Sequence, residues 1–181
     1  MQATNSVGRA VKRLEDRPLL AGSGRFVADL NFPGMLEAAF VRSPHAHAAI
    51  RAIDTAAARQ CAGVHAVLTF SDLAPLLAQE RLPLQFRTTR LPSDITPLVL
   101  AKDEVAFVGE AVAVVIAQSR YIAEDAAALV AVDYAPLPAV SDCRQALAPQ
   151  APCAHLARAS NLLIEFEQSY GDAADVRRYH A

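Results

Sequence analysis

Residues 111–117, Ala-Val-Ala-Val-Val-Ile-Ala, are apolar at every position, and no other feature restricts the fold of this chain so sharply. An alternating strand can leave one face in water, whereas a continuous apolar run has no face to spare. A strand over 111–118 is therefore expected centrally in a sheet, covered on both sides. Just upstream, Val105-Ala106-Phe107-Val108 reads as another strand, turned by Gly109. Downstream, Ser119 can accept from the free amides of a first helical turn. In the helix it opens, Ile122, Ala126, Leu129 and Val130 fall at i, i+4, i+7 and i+8. They make one apolar stripe, with Glu124, Asp125 and Ala128 outside it. A further strand over 130–134 ends at Pro136 and Pro138.

Similar signals run through the rest of the chain. Residues 1–8 are polar and aperiodic, a loose arm. Residues 12–20 predict a short helix, constrained by Pro18 and stopped by Ala21-Gly22-Ser23-Gly24. Arg25-Phe26-Val27 extends towards a turn at Asn31-Phe32-Pro33-Gly34. Strands follow over 36–43 and 48–53; in the second, Ile50 and Ala52 share one face, Arg51 and Ile53 the other. Asp54 and Gly63 bracket a helix over 55–62, one as an N-terminal acceptor and the other as a left-handed stop. Val64–Thr69 reads as a strand, and Ser71 and Asp72 as caps of a helix over 73–79 with Pro75 in its first turn. Residues 79–102 break the rhythm. Pro83, Pro92 and Pro97, with Arg81, Arg87, Thr88, Thr89 and Arg90, predict a long irregular connection, either a partner-contacting surface or a solvated loop. Asp142 caps a short helix ending at Leu147, residues 148–152 form a proline-bearing linker, and 161–169 alternates loosely as a strand. The whole predicts an α/β (α+β) architecture, a mixed sheet flanked by helices.

Length and charge narrow the functional classes. A chain of 181 residues is enough for one full domain. Seventeen basic against nineteen acidic residues give a net charge of -2, with no basic stripe, which argues against a nucleic-acid partner. The apolar run at 111–117 falls far short of the about 20 residues of a membrane span. Arg9, Lys12, Arg13, Glu15, Asp16 and Arg17 precede no long apolar segment, so a cytoplasmic location is expected. Cys61, Cys143 and Cys153 are far apart, without a Cys-x-x-Cys pair. An iron–sulfur cluster takes about four thiolates, so these three read as small buried or half-buried thiols.

Few side chains suggest chemistry. His45-Ala46-His47 would put two imidazoles on one side of an extended backbone, yet a catalytic zinc takes about three protein ligands and no third is indicated. Glu110 sits in a turn beside buried strands, where desolvation would raise its pKa and make it a conceivable acid or base. The alternative is a solvated turn carboxylate bonded to nearby amides. His65, His155 and His180 fall in a strand, a linker and the tail, without partners in sequence. Glu124 and Asp125 read as a solvated pair. Ser71 and Ser119 lack a Gly-x-Ser-x-Gly surround, and Gly22-Ser23-Gly24 is too short to cradle phosphate.

Several segments together carry a resemblance. Arg42-Ser43-Pro44-His45-Ala46-His47-Ala48, Ile53-Asp54, Gly63-Val64-His65-Ala66-Val67-Leu68-Thr69, Val108-Gly109-Glu110 and Val132-Asp133-Tyr134-Ala135-Pro136-Leu137-Pro138-Ala139-Val140 stand in family order. They resemble the α/β hammerhead domain that begins the molybdopterin-binding subunit of the aldehyde oxidase and xanthine dehydrogenase family. Carbon monoxide dehydrogenase large chains share that arrangement. The resemblance implies oxidation of aldehydes, purines, other heterocycles or carbon monoxide at a molybdenum-bearing molybdopterin, with electrons leaving through 2Fe-2S clusters to FAD. It places that chemistry in the domains after the hammerhead, so no catalytic, cofactor-binding or metal position is carried over here. The implied layout is an arm and short helix over 1–24, the hammerhead over 25–148, and a linker and strand over 149–181. The implied partners are a molybdopterin-binding subunit and, through it, iron–sulfur and flavin subunits. On this reading the chain is a supporting domain or small subunit, inactive alone. A non-catalytic binding module on the same scaffold, and an acid–base hydrolase using Glu110, are the alternatives.

Overall fold

Strand β5 (Ala111–Ala117) occupies the middle of a three-stranded sheet, between β1 (Glu37–Arg42) and β3 (Val64–Thr69), as its composition predicts. The computed structural model describes residues 8, 10–83, 96–165 and 171. A second sheet has the order β4-β2-β6, formed by Glu104–Val105, Ala48–Asp54 and Ala131–Pro136. All four ladders among the described residues are antiparallel. With helices α2 (Ala56–Arg59), α3 (Phe70–Leu73), α4 (Arg120–Ala128) and α5 (Cys143–Ala146), this is the expected mixture of sheet and flanking helix.

One apolar cluster lies between the first sheet and helices α2 and α4, joining Ala58, Val67, Ala113, Val115, Ala126 and Val130. Ser119 caps α4 through its hydroxyl, which accepts from the Ile122 amide at 3.3 Å. Of the expected stripe on α4, Ala126 and Val130 are buried and Ile122 is half-buried, and only Leu129 departs from it. Ala123 is buried in addition, while Leu129 is exposed. A second cluster, Ala48, Ala101, Val105 and Val112, gathers residues of both sheets.

The other face of the first sheet is different. Across the ladders Ala38 opposes Ile116, and Phe40 opposes Val114; on the far side Ala66 and Leu68 oppose the same two residues. Directly opposed residues share a face, so these six form an apolar surface. Val114 and Ile116 are only half-buried, and Phe40 is 49% exposed. The expectation that both faces of β5 are closed thus holds for one face; on the other Val112 is buried while Val114 and Ile116 are half-buried.

Several local expectations shift. In β2 a bulge between Ile50 and Ala52 breaks the alternation, and Ile50 and Ile53 both pack against the second cluster. An extra residue resets which side the following side chains meet. Helix α2 is shorter than 55–62, although Asp54 Oδ1 accepts from the Ala56 amide at 2.9 Å and Gly63 turns the chain with φ +84°. Helix α3 begins at Phe70, not at 73: Thr69 and Asp72 form its capping box, so Ser71 is not the cap. A 3-10 turn over Ala74–Leu76 carries Pro75. The strand expected over 105–108 is confined to Glu104–Val105, since residues 106–110 fold back into a turn. Asp142 Oδ1 caps α5 from the Arg144 amide at 2.9 Å. Residues 161–165 carry no strand, and the remainder of that expected strand lies outside the described residues.

Residues 1–35 form a separate compact unit from 36–181. Within it, α1 spans Asp16–Leu20, and a 3-10 turn over Val27–Asp29 replaces part of the expected extended segment. That turn is held by Asp29 Oδ2, which accepts from the Phe26 amide at 2.8 Å.

Candidate functional site

The polar side chains of the fold converge where β4 meets the turn before β5. Ser43, at the end of β1, donates its amide to Glu110 O at 2.9 Å and accepts from the Gly109 amide at 2.8 Å. Arg42 Nη1 donates to Gly109 O at 2.8 Å. These bonds bend residues 106–110 into a tight loop around Gly109, whose φ of +91° suits a residue without Cβ. Glu110 then reaches back, and its Oε2 accepts the Ala106 amide at 2.6 Å.

Burial pushes the Glu110 carboxyl above the ordinary carboxylate range, as the sequence suggested. The Ala106 amide and the nearby His155 pull it down, while Glu104 adds to the rise. Glu104 lies beside it and is more heavily engaged. Its Oε2 accepts the Leu156 amide at 2.8 Å and lies 3.4 Å from His47 Nε2; its Oε1 lies 3.3 Å from His155 Nδ1. His47 is 6% exposed, and its Nδ1 lies 2.9 Å from Pro138 O. Glu104, Glu110 and His155 line a cavity of about 200 Å³, together with Arg81, which donates to the Thr96 carbonyl. His47, His155 and Cys153 line an adjoining one.

This arrangement fastens more readily than it reacts. Both oxygens of Glu104 have protein partners, Oε2 the Leu156 amide and His47 Nε2, Oε1 His155 Nδ1. His45 does not join His47: residues 44–47 are bent rather than extended, and the His45 ring meets Tyr134 edge-on with centroids 4.9 Å apart. His65, Asp125 and Glu124 are exposed, Glu124 pairing with Arg120 at 2.7 Å. Cys143 is exposed at the start of α5, unlike the half-buried Cys61 and Cys153. His180 and residues 87–90 lie outside the described residues.

Sequence reasoning passed over Glu104. A signal was present, since it is the one carboxylate abutting the apolar stretch Val105-Ala106-Phe107-Val108.

Among the residues described, no side-chain cluster fits a metal ion or an iron–sulfur cluster of the kind the resemblance implies. No group of three or more His, Cys, Asp or Glu among them could hold a metal ion. No oxidation step is derived from these residues.

Two antiparallel three-stranded sheets with α4 packed on the first define an α/β hammerhead domain. Residues 21–138 match the model of the aldehyde oxidase and xanthine dehydrogenase a/b hammerhead domain, and the chain belongs to that family. It is 47% identical over 141 residues to the carbon monoxide dehydrogenase large chain of Afipia carboxidovorans, covering 78% of this chain and 16% of that one. It is 42% identical over 168 residues to the nicotine 6-hydroxylase large subunit of Paenarthrobacter nicotinovorans, covering 93% and 20%. Among solved structures, quinoline 2-oxidoreductase from Pseudomonas putida 86 superposes with a TM-score of 0.74 at 42% identity, covering 86% of this chain and 19% of that one. The chain thus spans a fifth or less of these relatives. No helix among the described residues is long and apolar enough to cross a membrane.

Proposed function

We propose that this chain is the hammerhead part of a molybdenum-hydroxylase-type oxidoreductase, acting as a supporting block for molybdopterin-bearing domains supplied by further polypeptide. The observation that carries this reading is the open face of the first sheet. Ala38, Phe40, Ala66, Leu68, Val114 and Ile116 present apolar surface on both sides of a strand that is itself apolar throughout. Apolar surface of this kind is characteristic of contacts with an obligate neighbour. On this reading residues 25–148 are the hammerhead body, and 149–181 lead towards the cofactor domains. The wider complex would hold molybdopterin, 2Fe-2S and FAD, and would work in the cytoplasm on an aldehyde, a heterocycle or carbon monoxide.

The test is purification of the tagged chain from its native host, with molybdenum and iron assayed in whatever accompanies it. Recovery with a large partner and both metals supports the reading. A lone, metal-free monomer at native expression level overturns it.

A further inference from the structure

The Leu156 amide and the rings of His47 and His155 meet at the Glu104 carboxylate, and a further contact of His47 fixes the position of one proton. The Pro138 carbonyl can only accept, so His47 Nδ1, 2.9 Å away, carries a hydrogen. In a neutral imidazole Nε2 would then be bare. Yet Nε2 faces Glu104 Oε2 at 3.4 Å, and the same oxygen already accepts the Leu156 amide at 2.8 Å. Oε1 lies 3.3 Å from His155 Nδ1. Beside an ionised carboxylate a bare Nε2 would set lone pair against lone pair. His47 is 6% exposed, so little water is at hand to relieve that repulsion.

We propose that His47 holds a proton on both ring nitrogens, and that its pairing with Glu104 is a proton-dependent clasp fastening residues 152–162 to β4. The strap it holds is already organised. Asn161 Nδ2 donates to Ala146 O at 3.0 Å and to Pro152 O at 2.9 Å, while its Oδ1 accepts the Ala154 amide at 2.8 Å. Glu104 ties that preformed loop to the second sheet through His155 and Leu156.

The neighbouring charges act on the clasp with opposite signs. Glu110, from the turn before β5, favours the His47 proton. Arg81, from the bridge to Leu98, opposes it, as does His155 when protonated; Arg158 and Cys153 line the adjoining cavity. When Nε2 gives its proton to solvent, the attraction becomes a repulsion. The strap's attachment is therefore strongest while His47 is charged, and is lost as rising pH removes that proton. The clasp stands or falls independently of the assembly proposed above.

The test uses the whole chain with ring-15N-labelled histidine. At neutral pH both His47 nitrogens are expected at imidazolium shifts. The protection of the Leu156 amide, corrected for intrinsic exchange, is expected to fall about tenfold as His47 becomes neutral. In Glu104→Gln, whose side-chain oxygen can still accept the Leu156 amide but carries no charge, that protection should be independent of pH. One protonated and one bare His47 nitrogen at neutral pH overturns the clasp. So does a Leu156 protection that stays constant while His47 titrates. If Glu104→Gln does not fold, the two wild-type measurements decide the matter alone.

Discussion

Phe40 stands directly opposite Val114 across the β1–β5 ladder, and Leu68 opposes the same valine from β3. The row is apolar from edge to edge, yet Phe40 keeps 49% of its surface exposed. Truncating a half-buried ring removes little burial from the chain itself. Phe40→Ser is therefore expected to cost about 1 kcal/mol in urea unfolding of the isolated chain. Val115→Ala, in the fully buried cluster beneath α4, is expected to cost about 1–3 kcal/mol. If the open face receives the cofactor domains, Phe40→Ser should also weaken their capture at least about tenfold. Unchanged capture would remove Phe40 from the interface.

Gly63 meets Ile122 where the turn into β3 passes beneath α4. Its φ is +84°, and a Cβ placed there would stand 2.9 Å from Ile122 Cδ1. Gly63→Ala combines backbone strain with that overlap, a loss of about 2–4 kcal/mol by denaturant titration. Adding Ile122→Val should recover the steric part and leave the strain. Full recovery would show that the positive φ costs nothing.

Glu110 and Asp72 are expected to bend the stability profile in opposite directions. Burial raises the native Glu110 pKa, so the folded state binds this proton more readily than the unfolded chain. Stability then falls as pH rises through the carboxylate range up to the raised native value. Glu110→Gln, which can still accept from Ala106, should stabilise the chain at neutral pH by a fraction of a kcal/mol, because solvent still reaches the group. That gain should vanish in acid.

The Asp72 pKa is lowered, chiefly by the amide and hydroxyl of Thr69, each 2.7 Å from Oδ2. Its contribution is present above the unfolded carboxylate value and is lost as pH falls through the lower native one. Asp72→Asn should flatten that acid limb and cost about 1 kcal/mol at neutral pH. Thermal unfolding from pH 3 to 8, a range of about five units spanning both carboxylates, reads both effects.

Asn161 closes residues 146–161 with three hydrogen bonds from one side chain. Asn161→Ala should open this loop and lower global stability by about 1–2 kcal/mol at most, since parts of it are solvated. Limited proteolysis should show new cleavage within 148–160 while the sheets stay intact. An unchanged cleavage pattern would mean that the loop is held by other contacts.

The most legible parts of the fold were those dictated by neighbours in sequence. Ser119 and Asp142 cap helices where their hydroxyl and carboxylate can reach amides two or three residues on. Gly63 turns the chain at the predicted site because only a residue without Cβ takes that φ readily. The Thr69 capping box is legible too, as a Thr followed three residues later by an Asp, with Ser71 a competing cap in the same stretch. The Arg51 bulge and the turn over 106–110 were not legible. Both depend on register against a partner strand that periodicity does not reveal. Glu110 was found as a desolvated turn carboxylate. Glu104 was missed because its partners His47 and His155 lie 57 and 51 residues away.

What the sequence alone determined is the family, the central place of Ala111–Ala117, and the sites where helices begin and chains turn. Those properties follow from composition and from contacts a few residues long. Tertiary structure decided that one face of that central strand stays half-open, and that Glu104 gathers two distant histidines. Only the pairing of β4 with β2, and the return of residues 152–158 to that ladder, brings β4, the bend at 44–47 and the strap to a single carboxylate.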